Sequence, residues 1–144
     1  MIYTEKTKLA LQIMFNTHKD QKDKGNTPYI FHPYHLAEQM TTEDEIILAL
    51  LHDTVEDSSL TVDDIKAYGF NNNIIEALRI ITKDKQMNYT DYIKRIGSNK
   101  LAKKIKLKDL EHNMDLSRIS NPTKEDYERV EKYKKAIELL NNMI

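Results

Sequence analysis

Three stretches of this chain carry side chains able to hold a cation: His32, the adjacent pair His52-Asp53, and Asp109. His52 and Asp53 follow the apolar run Ile46 to Leu51, which reads as a helix buried on most of its surface. Asp109 stands within a helical stripe formed by Leu101, Ile105, His112 and Leu116. A carboxylate in such surroundings is costly unless it is paired, hydrogen-bonded or bound to a cation. On helical spacing Glu56 lies one turn beyond His52, and Asp57 one turn beyond Asp53. Three acids and an imidazole then crowd two turns, and a divalent metal removes their repulsion most simply. The chain has no cysteine, so disulfides and thiolate zinc sites are excluded and any ligands are nitrogen and oxygen. Two imidazoles and two carboxylates suit borderline to hard ions: Mn²⁺, Fe²⁺, Co²⁺ or Zn²⁺, with Mg²⁺ also admissible.

The elements that must position these groups are helical. Only three glycines and three prolines occur among 144 residues, and 31% of the residues are charged. That composition predicts an all-α chain with short connections. Residues 1–144 are expected to form one compact bundle of about six to eight helices. Helix starts are predicted at Thr4, at the capping box Thr42 to Glu45 and at Thr61, with Gly69 as a C-cap. Further helices are expected over Asn72 to Ile81, Tyr89 to Ile96, Asn99 to Ser117 and Thr123 to Met143. The last has an apolar face of Tyr127, Val130, Tyr133, Ile137 and Leu140. Pro28 and Pro33 place His32 in extended backbone just before a helix.

Charge is balanced, 22 basic against 23 acidic residues, which argues against a general nucleic-acid binder. The N-terminus is interrupted by charge and reads as neither a signal peptide nor a membrane span, so a cytoplasmic protein is expected. An apolar helix face could also serve a homodimer.

The order His32, His52-Asp53, Asp109 resembles the HD superfamily of metal-dependent phosphohydrolases. Pro28-Tyr29-Ile30-Phe31-His32-Pro33 is similar to the PYxxHP signature of alarmone hydrolases, the RelA/SpoT-type hydrolase domain and its small relatives. Ala49 to Asp57 resembles that family's ALLHDVVED segment, and Asp109 to Met114 its DRLHNM segment. His18 and Gln21 correspond to an upstream HxxQ element, and Thr82-Lys83 to a TK pair. The resemblance implies one Mn²⁺ held by His32, His52, Asp53 and Asp109. It implies that Glu56 and Asp57 orient or deprotonate the attacking water, with Lys24, Asn113, Tyr29 and His18 at the substrate. The implied reaction removes the 3′-pyrophosphate of guanosine tetra- or pentaphosphate. The family pattern has arginine where this chain has Asp23, just before Lys24, and that arginine packs on the purine. Leu110 stands in place of a second arginine, and both changes fall on the presumed nucleoside pocket.

Two other functions share the His…His-Asp…Asp pattern. One is an HD-type nucleotidase acting on nucleoside monophosphates, the other a non-catalytic nucleotide sensor. With no histidine between His52 and His112, a mononuclear site is expected rather than a two-metal one. His112 reads as a core histidine bracing the site, and His35 as a surface or packing residue. Lys103, Lys104, Lys106 and Lys108 read as the solvated face of their helix, and Arg129, Lys132 and Lys134 as charged helix surface.

Overall fold

Helix-start signals recur along the chain, and the computed structural model, which describes residues 1–143, turns them into eight α-helices. They are α1 (Glu5–His18), α2 (Phe31–Glu38), α3 (Glu43–Leu51), α4 (Val62–Ala67), α5 (Asn72–Ile81), α6 (Tyr89–Gly97), α7 (Lys100–Asn113) and α8 (Lys124–Asn141), with a 3-10 turn at Leu116–Arg118. Among the described residues the only β pairing is an isolated bridge between Lys22 and Pro28. The protein is all-α, as its composition predicts. Every α-helix except α2 opens on a Thr or Asn side chain that accepts a first-turn backbone N–H. Thr4, Thr42, Thr61 and Thr123 form reciprocal capping boxes. Gly69 follows α4 at φ 93°, the left-handed conformation expected of it.

The central element is α3. Ile46 to Leu51 are all buried, because α3 packs against α1, α2, α5 and α7 at once. That enclosure explains its unbroken apolar run. Helices α6, α7 and α8 pack on one another, and α7 joins them to α3.

Three boundaries differ from the expectation. His32 lies inside α2, not before it. The N–H groups of a first turn have no intrahelical acceptor, so Pro33 at the third helical position forfeits nothing. Helix α3 ends at Leu51 rather than carrying through to Asp57. The carbonyl of Leu51 is taken by the N–H of Thr54 (3.0 Å) and its hydroxyl (2.7 Å), and that of Ala49 by His52 Nδ1 (2.6 Å). The following turn still holds a helical bond, Asp57 N–H to Asp53 C=O at 3.1 Å, so the one-turn spacing of Asp53 and Asp57 survives. Helix α7 stops at Asn113, and Asp115 caps the 3-10 turn that follows, its carboxylate accepting the Ser117 N–H at 2.9 Å. On α8, Tyr127 is exposed, and the buried face is carried by Ala136 and Leu140 with Tyr133 and Ile137 half-buried.

Candidate active site

Where α2, the end of α3 and α7 meet, four side chains converge. His32 comes from the first turn of α2, His52 and Asp53 from the turn after α3, and Asp109 from the middle of α7. Each offers one ligand atom, and these atoms lie within 4.8 Å of one another. His32 Nε2 is 2.8 Å from Asp109 Oδ1; His52 Nε2 is 3.0 Å from Asp53 Oδ2 and 3.4 Å from Asp109 Oδ1. His32, His52 and Asp109 are buried, and Asp53 is nearly so.

The far ring nitrogens set the tautomers. His52 Nδ1 donates to the Ala49 carbonyl, which leaves the Nε2 lone pair facing two carboxylates. His32 Nδ1 sits 2.7 Å from His112 Nδ1, with the rings stacked at 6°. Burial and the Arg118 charge push the His112 imidazole down to about 4, so the ring is neutral and able to accept from His32 Nδ1; in that tautomer His32 Nε2 is likewise a lone pair. Two lone pairs and two carboxylates aimed at one point repel unless a cation lies among them. His52 Nε2 is moreover buried, and although Asp53 Oδ2 lies 3.0 Å away the two are not aligned for a hydrogen bond. Burial alone would lower its proton affinity, yet the charges of Asp53 and Asp109 raise it well above the ordinary value. Burial raises the Asp53 carboxyl, and His52 more than reverses this, holding it at about 2. The residues fit a divalent ion bound by nitrogen and oxygen.

One cation is built in, and the sequence reading missed it. Lys106 points inward: its Nζ lies 2.8 Å from Asp109 Oδ2 and 5.3 Å from the Tyr92 ring centroid. Burial opposes the charge of Lys106, but Asp109 and Tyr92 hold its pKa well above the lysine range. Lys104 instead pairs with Glu45 at 2.7 Å, and Lys108 with Glu111 at 3.5 Å. The available signal was the three-residue step from Lys106 to Asp109, which puts both on one helix face.

Tyr29 donates its hydroxyl to Asp53, and Asn113 Nδ2 donates to Asp109 Oδ1 at 3.0 Å. Both were expected at the substrate; each contacts a candidate ligand as well. Glu56 Oε1 accepts the Lys83 backbone N–H at 2.5 Å, and Asp57 Oδ2 accepts from Gln21 Nε2 at 3.2 Å. Burial raises both carboxyls above their ordinary values. His18, also expected at the substrate, is fully buried against Gln21 and Tyr29 and has no surface to offer one.

Beside the cluster a cavity of about 360 Å³ is lined by Lys24, Tyr29, Asn113, Arg118, Arg129 and Tyr133, among others. Arg129, assigned to the helix surface from sequence, belongs here, paired with Asp126. Arg118 Nη1 reaches Asp23 Oδ2 at 2.8 Å across the cavity wall, and its Nη2 donates to the His112 carbonyl at 3.3 Å. Asp23 Oδ1 accepts the N–H groups of Gly25 and Thr27, each at 2.9 Å. A Cβ on Gly25 would collide with the Arg118 carbonyl, so only glycine allows this approach. Leu110, expected at the nucleoside pocket, is instead in the core. A larger groove of about 860 Å³ between α1 and α2 is lined mainly by apolar side chains such as Phe15, Phe31 and Tyr34, and lacks the polar convergence of a catalytic site.

A helical bundle with two histidines and two aspartates converging at its centre defines the HD class of metal-dependent phosphohydrolases. No family model matches the chain. The chain is 33% identical over 138 residues to the guanosine-3′,5′-bis(diphosphate) 3′-pyrophosphohydrolase MESH1 of Mus musculus, covering 86% of this chain and 76% of that protein. It is 35% identical over 131 residues to the Homo sapiens MESH1, covering 81% and 72%. A guanosine-3′,5′-bis(diphosphate) 3′-pyrophosphohydrolase of Aquifex aeolicus (strain VF5) is 34% identical over 91 residues, 60% of this chain but 13% of that protein. A solved structure described as a metazoan ortholog of SpoT that hydrolyses ppGpp superposes with a TM-score of 0.80 at 25% identity, covering 99% of this chain and 89% of that one. The chain belongs to the MESH1 family of guanosine-3′,5′-bis(diphosphate) 3′-pyrophosphohydrolases, and it is a hydrolase. Among the described residues no helix is long and apolar enough to cross a membrane.

Proposed function

We propose that this chain, read as one HD domain over residues 1–144, hydrolyses the 3′-pyrophosphate of a guanosine tetra- or pentaphosphate-type nucleotide. The observation that carries the reading is the four-residue cluster opening beside a cavity furnished with Lys24, Arg118 and Arg129. His32, His52, Asp53 and Asp109 would hold one divalent ion, Mn²⁺ by the family resemblance. When bound, such an ion acidifies water and neutralises phosphoryl oxygens. The chain's own part is to place and deprotonate. Lys24 and Arg129 offer donors and positive charge to the phosphates at the cavity. Glu56 Oε1 and Asp57 Oδ2 are engaged by Lys83 and Gln21, which leaves Oε2 and Oδ1 to orient water and take its proton. Burial raises both carboxyls above their ordinary values, which makes each a better proton acceptor. Water adds at the phosphorus next to the 3′ oxygen, that P–O bond breaks, pyrophosphate departs and the 3′ oxygen gains a proton. Because the substrate is a free nucleotide, we place the enzyme in the cytoplasm.

The Asp23–Arg118 pair, standing where the family pattern has a free arginine, favours one alternative, a nucleotidase acting on nucleoside monophosphates. Product analysis separates the two. The purified protein is incubated with Mn²⁺ and guanosine 3′,5′-bis(diphosphate), with Asp53→Asn as control. Pyrophosphate release abolished in the control supports the reading. No turnover with metal shown to be bound overturns it, and orthophosphate release from a nucleoside monophosphate would replace it.

A further inference from the structure

His18 is fully buried at the C-terminal end of α1 and takes no part in the chemistry above. Its Nδ1 lies 2.8 Å from Gln21 Oε1, and 3.9 Å from Asp57 Oδ2. Gln21 Nε2 in turn donates to Asp57 Oδ2 at 3.2 Å. The Gln21 backbone is tied on both sides, its N–H to the His18 carbonyl at 3.0 Å and its carbonyl to the Tyr29 N–H at 2.8 Å. His18 Nε2 is buried with no hydrogen-bond partner. The His18 ring packs on Tyr29, centroids 4.8 Å apart, and Tyr29 holds Asp53.

These contacts have one consistent polarity. An ionised carboxylate only accepts, so the Gln21 amide must turn its NH₂ toward Asp57. Its Oε1 then faces the other way and needs a donor. His18 Nδ1–H supplies it, which fixes the histidine as the Nδ1-protonated tautomer with a bare Nε2. A flipped amide would set a carbonyl oxygen against a carboxylate oxygen and a donor against a donor. The histidine therefore selects the amide orientation, and the amide selects which oxygen of Asp57 is engaged. Oδ1 is left for water.

We propose that His18 and Gln21 are positioning residues for Asp57, a buried relay that holds its carboxylate with one oxygen engaged and the other presented to the reaction. The proposal rests on the reading of Asp57 as a water-orienting carboxylate. His18 is fully buried and has no surface for substrate, whereas Gln21 also lines the cavity, so it is loss of the His18 donor that acts on turnover and not on binding. Misplacing a catalytic group by about 1 Å can cost about 100-fold in rate.

The test compares wild type with His18→Phe, which keeps a ring but removes the Nδ1 donor, and Gln21→Met, which keeps the length but removes the amide. His18→Asn restores an N–H close to the position of Nδ1. Pyrophosphate release from guanosine 3′,5′-bis(diphosphate) with Mn²⁺ should show kcat down by about 10- to 100-fold in the Phe and Met variants. KM of His18→Phe should stay within about two-fold, and His18→Asn should recover most of the loss. Full kcat in His18→Phe, or loss confined to KM, overturns the proposal. A second readout needs no turnover: ¹⁵N spectra of the His18 ring in the intact protein. The Nδ1–H tautomer supports the relay, and the Nε2–H tautomer overturns it, even where a variant fails to fold. If wild type releases no pyrophosphate, the functional reading fails while the ring tautomer still decides the relay.

Discussion

Replacing Lys106 by methionine keeps most of the side-chain volume and removes the fixed cation that pairs with Asp109. At 2.8 Å the pair attracts by about 6 kcal/mol at an effective dielectric of about 20. Dehydration of the two ions offsets much of that. What remains after the substitution is a buried carboxylate without its partner, a situation that costs about 3–5 kcal/mol. At about 3 °C per kcal/mol for a chain of this size, the metal-free protein should melt about 10–15 °C lower. Bound Mn²⁺ would supply positive charge to the same carboxylate, so saturating metal should narrow the gap between variant and wild type. The measurement is a pair of thermal melts, in chelator and in excess Mn²⁺, with Lys108→Met as a control on the more exposed face of α7. That control should move stability by no more than about 0.5 kcal/mol. If Lys106→Met melts like the control in chelator, the buried pair does not hold Asp109 and the argument fails.

Other expectations follow from the same geometry. His112→Ala removes the ring that accepts from His32 Nδ1, and Mn²⁺ affinity measured by titration calorimetry should fall about 10- to 100-fold. Mn²⁺ at 100 times its Kd should stabilise wild type by about 2.7 kcal/mol, and Asp109→Asn should abolish most of that rise in Tm. Arg118→Ala breaks a partly buried pair across the cavity wall and should cost about 1–2 kcal/mol with a higher KM for nucleotide, read from urea melts and steady-state kinetics. Gly25→Ala should loosen the same wall because its Cβ meets the Arg118 carbonyl; an unchanged melting midpoint would contradict that.

What could be read directly from the chain is what local chemistry decides. Thr4, Thr42 and Thr61 cap helices because a hydroxyl reaches an N–H within its own first turn. The apolar run Ile46 to Leu51 announces a central helix because burial on all sides leaves no polar face to alternate. His32, His52, Asp53 and Asp109 stand out because ionisable groups beside such runs need a partner, and the fold brings them within 4.8 Å.

Tertiary structure decided the rest, wherever a choice depended on which side of an element meets another. Four lysines share α7, and periodicity alone does not say that Lys106 turns inward while Lys104 and Lys108 find surface acids. Leu110 and Asp109 are neighbours, yet one enters the apolar core and the other the polar cluster. Asp23 and Arg118 are far apart in sequence and meet only because the loop before α2 and the turn after α7 border one cavity. The contacts of Glu56 with Lys83, and of Gln21 with Asp57, likewise arise from how the elements pack. Hydrogen bonds of this kind are short-ranged and directional, so they exist only once the packing of the helices has fixed both partners.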